Sequence, residues 1–231
     1  MNDRNYIIFN DFNTLPYFLI EELPTVPSAE EKKELIRIDG RSGYLTNTNN
    51  GALESITYDV ELNLKTKEDI ERIKTAFRGS GKLIISNDPT KFYYATVMNK
   101  IEFERQVRQR RKCIISFELQ PYGYELDNKP MTFVEQFELY NHTNTTAQPI
   151  ITINGKGNIT LVVNGTIFQI KEVVSSIVLD FQLEEAYDKE TRSSKNTDVL
   201  GDYDHLKEGY NQIGWFGDVA SIEIIPNWRW R

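Results

Sequence analysis

Apolar and polar residues alternate with a period of two along most of this chain, which is the pattern of β-strands with one buried face. The alternation is clearest in two runs, Ile56, Tyr58, Val60, Leu62, Leu64 and Cys113, Ile115, Phe117, Leu119. Because successive side chains of a strand point to opposite faces, each run forms one apolar face. The chain is therefore predicted to be mainly β, and Cys113, its only cysteine, is predicted to be an inert core residue.

The segment from Thr66 to Gly79 departs from this pattern and favours an α-helix. Thr66 can cap the first turn, and Gly79 can end the last one. The apolar residues of the segment recur at helical spacing and form a stripe that must pack against a sheet, namely Ile70, Ile73 and Phe77. A second, shorter helical turn is predicted from Ser28 to about Leu35.

A stretch from Pro121 to Pro130 with prolines, a glycine and turn-forming residues interrupts the strand pattern and predicts a domain boundary. The chain has 231 residues, which is enough for two domains of about 100 residues each. We predict an N-terminal β-sandwich-like domain over residues 1–126, which is α+β because it contains the helix at about 66–79. We predict a C-terminal antiparallel β-sandwich over residues 127–231.

Glycine-containing turns punctuate the predicted C-terminal domain. Gly155-Lys156-Gly157 and Asn164-Gly165 each separate two alternating runs, and Asn-Gly is a favoured type I′ hairpin turn. The polar residues 189–204 are predicted to form an exposed loop. Inward-facing side chains are predicted at Ile159, Leu161, Val163, Ile177, Leu179, Phe181, Leu183, Ala220, Ile222 and Ile224.

The N-terminal half contains a predicted long hairpin with a basic tip. A short strand at 82–86 and the turn Asn87-Asp88-Pro89 precede its two arms, at 92–104 and 112–120. The tip carries Arg105, Arg108, Arg110 and Arg111. Three roles of the tip stay open: solvation, docking on an acidic neighbouring subunit, and contact with nucleic-acid phosphates. No aromatic residues are interleaved with the arginines for stacking on bases.

Charge and hydropathy narrow the class of protein. The net charge is -7, with -2 over residues 1–127 and -5 over residues 128–231, so the overall basic footprint of a nucleic-acid-binding protein is absent. No apolar run approaches the roughly 18 residues of a membrane span, and the N-terminus lacks the pattern of a secretory signal. The sequence therefore indicates neither membrane insertion nor export.

Residues that could carry catalysis or bind a metal are few. His142 and His205 lie in polar, loop-like sequence without a nucleophile motif, and residues 202–205 match no standard metal-binding loop. Asp180, Glu184 and Glu185 are better explained as solvated charges than as a glycosidase pair. We therefore predict no catalytic residue, no metal and no cofactor.

Aromatic residues near the C-terminus offer a candidate carbohydrate contact. Tyr210, Trp215, Trp228 and Trp230 could form a platform on which sugar rings stack. Rings of this size also fill cores and oligomer interfaces. The sequence leaves both alternatives open.

Several motifs occur in an order that resembles a known family. Residues 38–43, Ile-Asp-Gly-Arg-Ser-Gly, are similar to a Gly-Arg-Asp-Gly turn of that family, with Ser42 in place of the aspartate. The helix ending at Phe77, then 79–83 and Asp88-Pro89 before 92–95, are similar to its helix, glycine turn and strand. Residues 209–213, with Trp215, Gly217 and the strand 222–228, are similar to its C-terminal motif. The chain thus resembles the distal tail (Dit-like) proteins, a phage tail component family of long-tailed, non-contractile phages.

This resemblance implies a structural protein of the virion tail tip, assembled in the cytoplasm of the bacterial host. Copies of the chain would form a hexameric ring, which joins the tail tube to tail-tip and tail-associated proteins and lets DNA pass through its lumen without specific binding. The C-terminal domain would resemble a galectin or a carbohydrate-binding module, but a fold does not establish sugar binding. The alternatives are a carbohydrate-binding adsorption protein that contacts host cell-wall polysaccharide and a tail-associated glycan hydrolase.

Overall fold

A computed structural model describes residues 4–65, 70–102, 104–105 and 111–231, and only the backbone at 49, 50, 104, 105 and 111. The chain divides into two compact units. Unit 1 comprises residues 1–126 with Arg231, and unit 2 comprises Asp127–Trp230. Among the described residues, no helix is long and apolar enough to cross a membrane.

Unit 1 is built on an antiparallel sheet. Its elements are β1 (Ile7–Phe9), β2 (Phe12–Asn13), β3 (Phe18–Leu19), β4 (Glu31–Arg37), β5 (Tyr44–Leu53), β6 (Ile56–Leu64), α1 (Ile70–Ala76), β7 (Ser80–Ile85), β8 (Asp88–Val97), β9 (Glu104–Arg105) and β10 (Arg111–Glu125). The strand order is β2-β1-β7-β8-β10-β6-β3, and β9 pairs with the start of β10. Strands β4 and β5 form a separate two-stranded sheet.

The alternating runs of unit 1 form its core, as predicted. Every second residue of β6 is buried, and so are Cys113 and the apolar residues that alternate with it in β10. Burial raises the pKa of the Cys113 thiol to about 12, so the reactive thiolate is scarce at neutral pH. Helix α1 packs on this core through Ile73 and the adjoining Phe77, whose ring centroid lies 5.9 Å from that of Phe9.

Two helices were predicted in unit 1. One prediction is wrong, and the other lies partly outside the described residues. The helical turn expected at Ser28–Leu35 is wrong, because Glu31–Arg37 is strand β4 and pairs with β5. Gly40 and Gly43 lie at the tip of this hairpin with φ of 81° and 85°, which side chains with a Cβ rarely adopt. The α-helix is described from Ile70 to Ala76, while the predicted cap Thr66 lies outside the described residues.

The strand that ends unit 1 is longer than predicted. Pro121 was expected to help end the strand pattern, but β10 continues through it to Glu125. The register against β8 shifts between Leu119 and Gly123. This irregularity accommodates a proline, which has no N–H for the sheet ladder, inside a paired strand.

Unit 2 is also antiparallel and contains no α-helix among its residues, all of which are described. Its elements are β11 (Met131–Phe133), β12 (Phe137–Asn141), β13 (Ile150–Val163), β14 (Thr166–Val173), β15 (Ser176–Asp180), β16 (Glu185–Asp188), a 3-10 helix (Asn196–Asp198), β17 (Val199–Leu200), β18 (Gly209–Ile225) and β19 (Arg229–Trp230). The prediction of a mainly β chain with one α-helix is confirmed for the described residues.

Two long strands, β13 and β18, pair with each other and run through both halves of unit 2. One half has the order β16-β15-β13-β18-β11, and the other has β12-β18-β13-β14-β17. Side chains from both halves form one buried cluster, including Ile153 and Ile222 from the first and Leu161 and Ile213 from the second. The two halves therefore face each other across a common core.

Glycines allow the long strands to change direction between the halves. Gly155-Lys156-Gly157, expected to separate two strands, instead lies inside β13 where its register against β18 shifts. A Cβ at Gly155 would lie 2.5 Å from the carbonyl oxygen of Asp218, so a larger residue would push the two backbones apart. The Asn164-Gly165 hairpin turn is confirmed, with φ of 51° and 88°.

Most predicted inward-facing side chains of unit 2 are buried, with two exceptions. Leu183 is exposed in the turn between β15 and β16. Ala220 is exposed where the register of β18 against β13 shifts, between Val219 and Ser221. The predicted loop at 189–204 contains exposed turns, but it also holds the 3-10 helix and strand β17, which pairs with β14.

Candidate functional site

Two of the polar residues considered for catalysis, Asp180 and His142, have structural partners. The Asp180 carboxylate accepts hydrogen bonds from the N–H groups of Gln182 and Leu183, at 2.9 and 3.1 Å, and so shapes a turn. The His142 ring contacts the rings of Trp228 and Trp230, with centroid distances of 5.7 and 5.6 Å. Within residues 4–65, 70–102, 104–105 and 111–231, no three His, Cys, Asp or Glu side chains are grouped to hold a metal ion.

The glycine-rich segment at 79–82 is structural. Gly81 lies in β7, where an added Cβ would overlap the Asn10 side chain. The Asn10 side chain accepts a hydrogen bond from the N–H of Lys82 and donates one to the Ser80 carbonyl oxygen. The segment therefore ties β7 to the β1–β2 turn and does not form a phosphate-binding loop.

The predicted basic tip is described only in part. Arg105 and Arg111 face each other in the β9–β10 pairing, but only their backbones are described. Arg108 and Arg110 lie outside the described residues. At the start of β10, Lys112 forms an ion pair with Glu61 of β6, at 2.5 Å.

An acidic groove lies beside β6. It has a volume of about 300 Å³ and is lined by Glu21, Glu22, Pro24, Asp59, Glu61 and Asn63. Glu61 is paired with Lys112, and the other three carboxylates give the groove a negative local potential, which favours a cationic partner.

The β4–β5 hairpin, defined as residues Glu31–Leu53, carries apolar side chains that no described part of the chain covers. Leu35 and Tyr44 are 60% and 61% exposed, and Ile36, Ile38 and Leu45 are also exposed. Within the described residues, β4 and β5 pair only with each other. Because an isolated two-stranded hairpin is only marginally stable in water, this one is suited to docking on another surface. Sequence analysis missed it, although the glycines at its tip were noted.

The four candidate carbohydrate-binding aromatics are not gathered into one platform. Tyr210 is exposed and lies opposite Tyr140 across the β12–β18 pairing, with ring centroids 5.0 Å apart. Trp215 packs near Phe137 at 6.4 Å, on the core side. Trp228 is 7% exposed, and its ring and that of Trp230 lie against His142.

Tyr210 instead belongs to an outward face of unit 2 that sequence analysis did not assemble. Every second residue of β18 points outward here, and cross-strand partners from β12 and β13 share that face. The face includes a groove of about 520 Å³, lined by Gln136, Phe137, Glu138, Val162, Gly165, Gln212, Ile213, Gly214 and Phe216. The alternating polar residues of 136–140 and 210–216 were the available signal, but their pairing is a tertiary feature.

Comparisons with known proteins bear on the fold of the chain. No protein-family model matches the chain, and no curated protein matches it by sequence. The chain superposes on the crystal structure of the SPP1 Dit (gp 19.1) protein with a TM-score of 0.75, over 95% of this chain and 97% of that one. This chain has the Dit fold.

The two sequences are 14% identical, so the likeness to Dit concerns the fold. The SPP1 Dit protein is described as a paradigm of the hub adsorption apparatus in phages that infect Gram-positive bacteria. The prediction of a Dit-like, mainly β fold is confirmed. Since the match extends over nearly the whole of both chains, it includes the strands of units 1 and 2 alike.

Proposed function

We propose that this chain is a structural, non-enzymatic subunit of a phage tail tip, a Dit-like hub that joins the tail tube to the host-adsorption apparatus. The observation that carries the proposal is the likeness to SPP1 Dit over 95% of the chain. Copies of the chain form a hexameric ring, with tail-tube and tail-tip proteins as further partners in the virion. Assembly takes place in the host cytoplasm.

The ring requires a surface on each subunit that fits a different surface on the next. The exposed apolar side chains of the β4–β5 hairpin supply one such surface, since burying them removes apolar area from water. A net charge of -2 over residues 1–127 suits passage of DNA through the lumen, because a strongly basic wall would retain the polymer.

The solution mass across a concentration series tests the ring. We expect light scattering to show growth from the 26.9 kDa chain to a closed hexamer, since closure couples several weak contacts and depends on concentration. Negative-stain images should show rings with a central hole. A protein that stays monomeric up to millimolar concentration would contradict self-assembly.

The basic tip is proposed as a second contact, with its positive charges on the acidic groove of the neighbouring subunit. Replacing Arg108 and Arg110 together by glutamate is expected to weaken assembly at moderate salt, because opposite charges become like charges. The assay is the same mass measurement. Replacement of both by lysine keeps the charge and should preserve assembly. Unchanged assembly of the glutamate variant would exclude the tip from the interface.

A second function is favoured by the exposure of Tyr210, which is 74% accessible beside Tyr140. We propose that unit 2 contacts host cell-wall glycan during adsorption. Of the aromatic residues considered, Tyr210 is placed to stack on a ligand, whereas the buried Trp228 serves the core of unit 2. Binding of purified wall fragments to the full chain tests this function.

A further inference from the structure

The outward face of unit 2 places aromatic, amide and carboxylate groups in one row. Tyr140 lies opposite Tyr210, and Glu138 lies opposite Gln212. The next outward position of β18 is Gly214, followed by Phe216. These residues alternate with the buried Asn211 and Ile213, so they share one face. From Tyr210 to Phe216 the row extends about 20 Å at the rise of an antiparallel strand.

The two ends of the row are exposed aromatic rings. Tyr140 and Tyr210 are 55% and 74% exposed, and Phe216 is 66% exposed. Side chains of this size usually bury much of their surface in cores and interfaces. The Tyr140 and Tyr210 rings are tilted by 60° to each other, and all three side chains expose apolar surface to solvent.

The middle of the row is polar and recessed. Gln212 Nε2 donates a hydrogen bond to Glu138 Oε1 at 3.3 Å, and Gln136 Nε2 donates one to the Trp215 carbonyl oxygen at 3.3 Å. Gly214 has no side chain, and a Cβ there would first meet Gln136 Oε1 at 3.3 Å. The Gln136 side chain therefore lies beside Gly214, and both residues line the groove.

The chemistry of the row selects one class of ligand. Phe216 lines the groove, whereas Tyr140 and Tyr210 continue the row outside the groove lining. Exposed rings offer stacking surface, and paired carboxylate and amide oxygens accept hydrogen bonds from neighbouring hydroxyl groups. The groove volume of about 520 Å³ is in the range of small-ligand sites. Glu138 is the one charged residue among its lining residues, and it disfavours anionic ligands such as uronic acids or polyol phosphates.

We infer that the row from Tyr140 and Tyr210 to Phe216 binds a neutral oligosaccharide, with pyranose rings on the aromatic side chains and hydroxyl groups on Glu138 and Gln212. This site deepens the proposed glycan contact of unit 2 and rests on it. Its residues all lie in unit 2.

Calorimetric titration of the full chain tests the site, with neutral oligosaccharides of glucose, galactose and N-acetylglucosamine and oligogalacturonate of the same length as probes. We expect at least one neutral probe to bind and oligogalacturonate to bind at least about tenfold more weakly, a difference of about 1.4 kcal/mol. Tyr210→Ala should weaken binding of the neutral probe about tenfold or more. Gly214→Val should abolish that binding by filling the groove.

The Glu138→Gln variant distinguishes a sugar-binding role of this row from a purely structural one. It keeps the shape of the side chain and removes its charge, so it should reduce the discrimination against oligogalacturonate. Leu183→Ala, at an exposed turn of unit 2 outside the row, should change nothing. Neutral binding that survives both Tyr210→Ala and Gly214→Val would overturn this site and leave the glycan-contact function standing. Absence of binding to all neutral probes and to wall fragments would overturn both.

Discussion

Replacement of Leu35 and Tyr44 by serine is expected to abolish self-assembly while the monomer stays folded. These side chains share one face of the β4–β5 hairpin, because Leu35 lies opposite Thr46 and Tyr44 lies opposite Arg37. Both are about three-fifths exposed in the single chain. A partner surface would bury them, and a fully buried aliphatic or aromatic side chain contributes about 1.5–3 kcal/mol. Six equivalent contacts in a closed ring would multiply that loss.

A matched control variant distinguishes the loss of a hairpin contact from a general effect of a more polar surface. Met98→Ser with Ile114→Ser removes two exposed apolar side chains of unit 1, 60% and 48% accessible, that lie outside the hairpin. The control should still assemble. Both variants should keep the far-ultraviolet circular dichroism spectrum of the parent chain. If the hairpin variant forms rings at the same concentration as the parent, the hairpin is not the subunit contact.

The hairpin also shows where sequence reasoning reaches its limit. Residues 30–34, Glu-Glu-Lys-Lys-Glu, are strong helix formers, and without an apolar core face they gave no strand periodicity. Backbone pairing with 44–53 decided the conformation instead. Propensity is a weak prior that such pairing overrides, so the helical turn was the natural but incorrect prediction.

Local sequence patterns were sufficient to predict a helix or strand where one face of that element is buried. The alternation around Val60 and Ile115 predicted two central strands, and the spacing of Ile73 and Phe77 predicted the packed face of the helix. Strand ends were less predictable. Pro121 and Gly155 are strand-breaking residues by local rules, yet register shifts let β10 and β13 continue through them.

The candidate glycan site could be predicted only in part for a similar reason. Tyr210 was identified from its residue type, but its neighbours Tyr140 and Glu138 are about 70 residues distant in sequence and meet it through the β12–β18 register. Trp228 was grouped with it because of composition, although it is buried in the core. Residue type suggests which side chains can stack on sugars, whereas pairing determines which of them share a face.

Replacement of Phe77 by alanine is expected to destabilise unit 1 by about 3–5 kcal/mol. The Phe77 ring is 2% exposed and packs with the rings of Phe9, Phe12 and Phe117, with centroid distances of 5.9, 5.6 and 6.2 Å. Its loss leaves a cavity where α1 meets the sheet. Because a domain is typically stable by about 5–15 kcal/mol, this loss is a large share of the total.

The chain contains separate probes for its two units. Cys113, its only cysteine, is buried in unit 1, and its three tryptophans, Trp215, Trp228 and Trp230, all lie in unit 2. In a urea titration, the Phe77→Ala variant should expose Cys113 to a thiol reagent at lower urea than the parent. The urea concentration at the midpoint of its tryptophan fluorescence transition should equal that of the parent chain. Phe77→Leu, which keeps most of the volume, should shift thiol exposure far less.

The two readouts distinguish the ways in which this expectation can fail. If Phe77→Ala leaves thiol exposure unchanged, the helix does not depend on this aromatic cluster, and the packing argument is wrong. If both transitions move together by the same amount, the two units unfold as one cooperative structure. A shift confined to Cys113 would mean that unit 2 keeps its fold when unit 1 is weakened. Changes in unit 1, the proposed ring-forming unit, then need not disturb the proposed glycan site of unit 2.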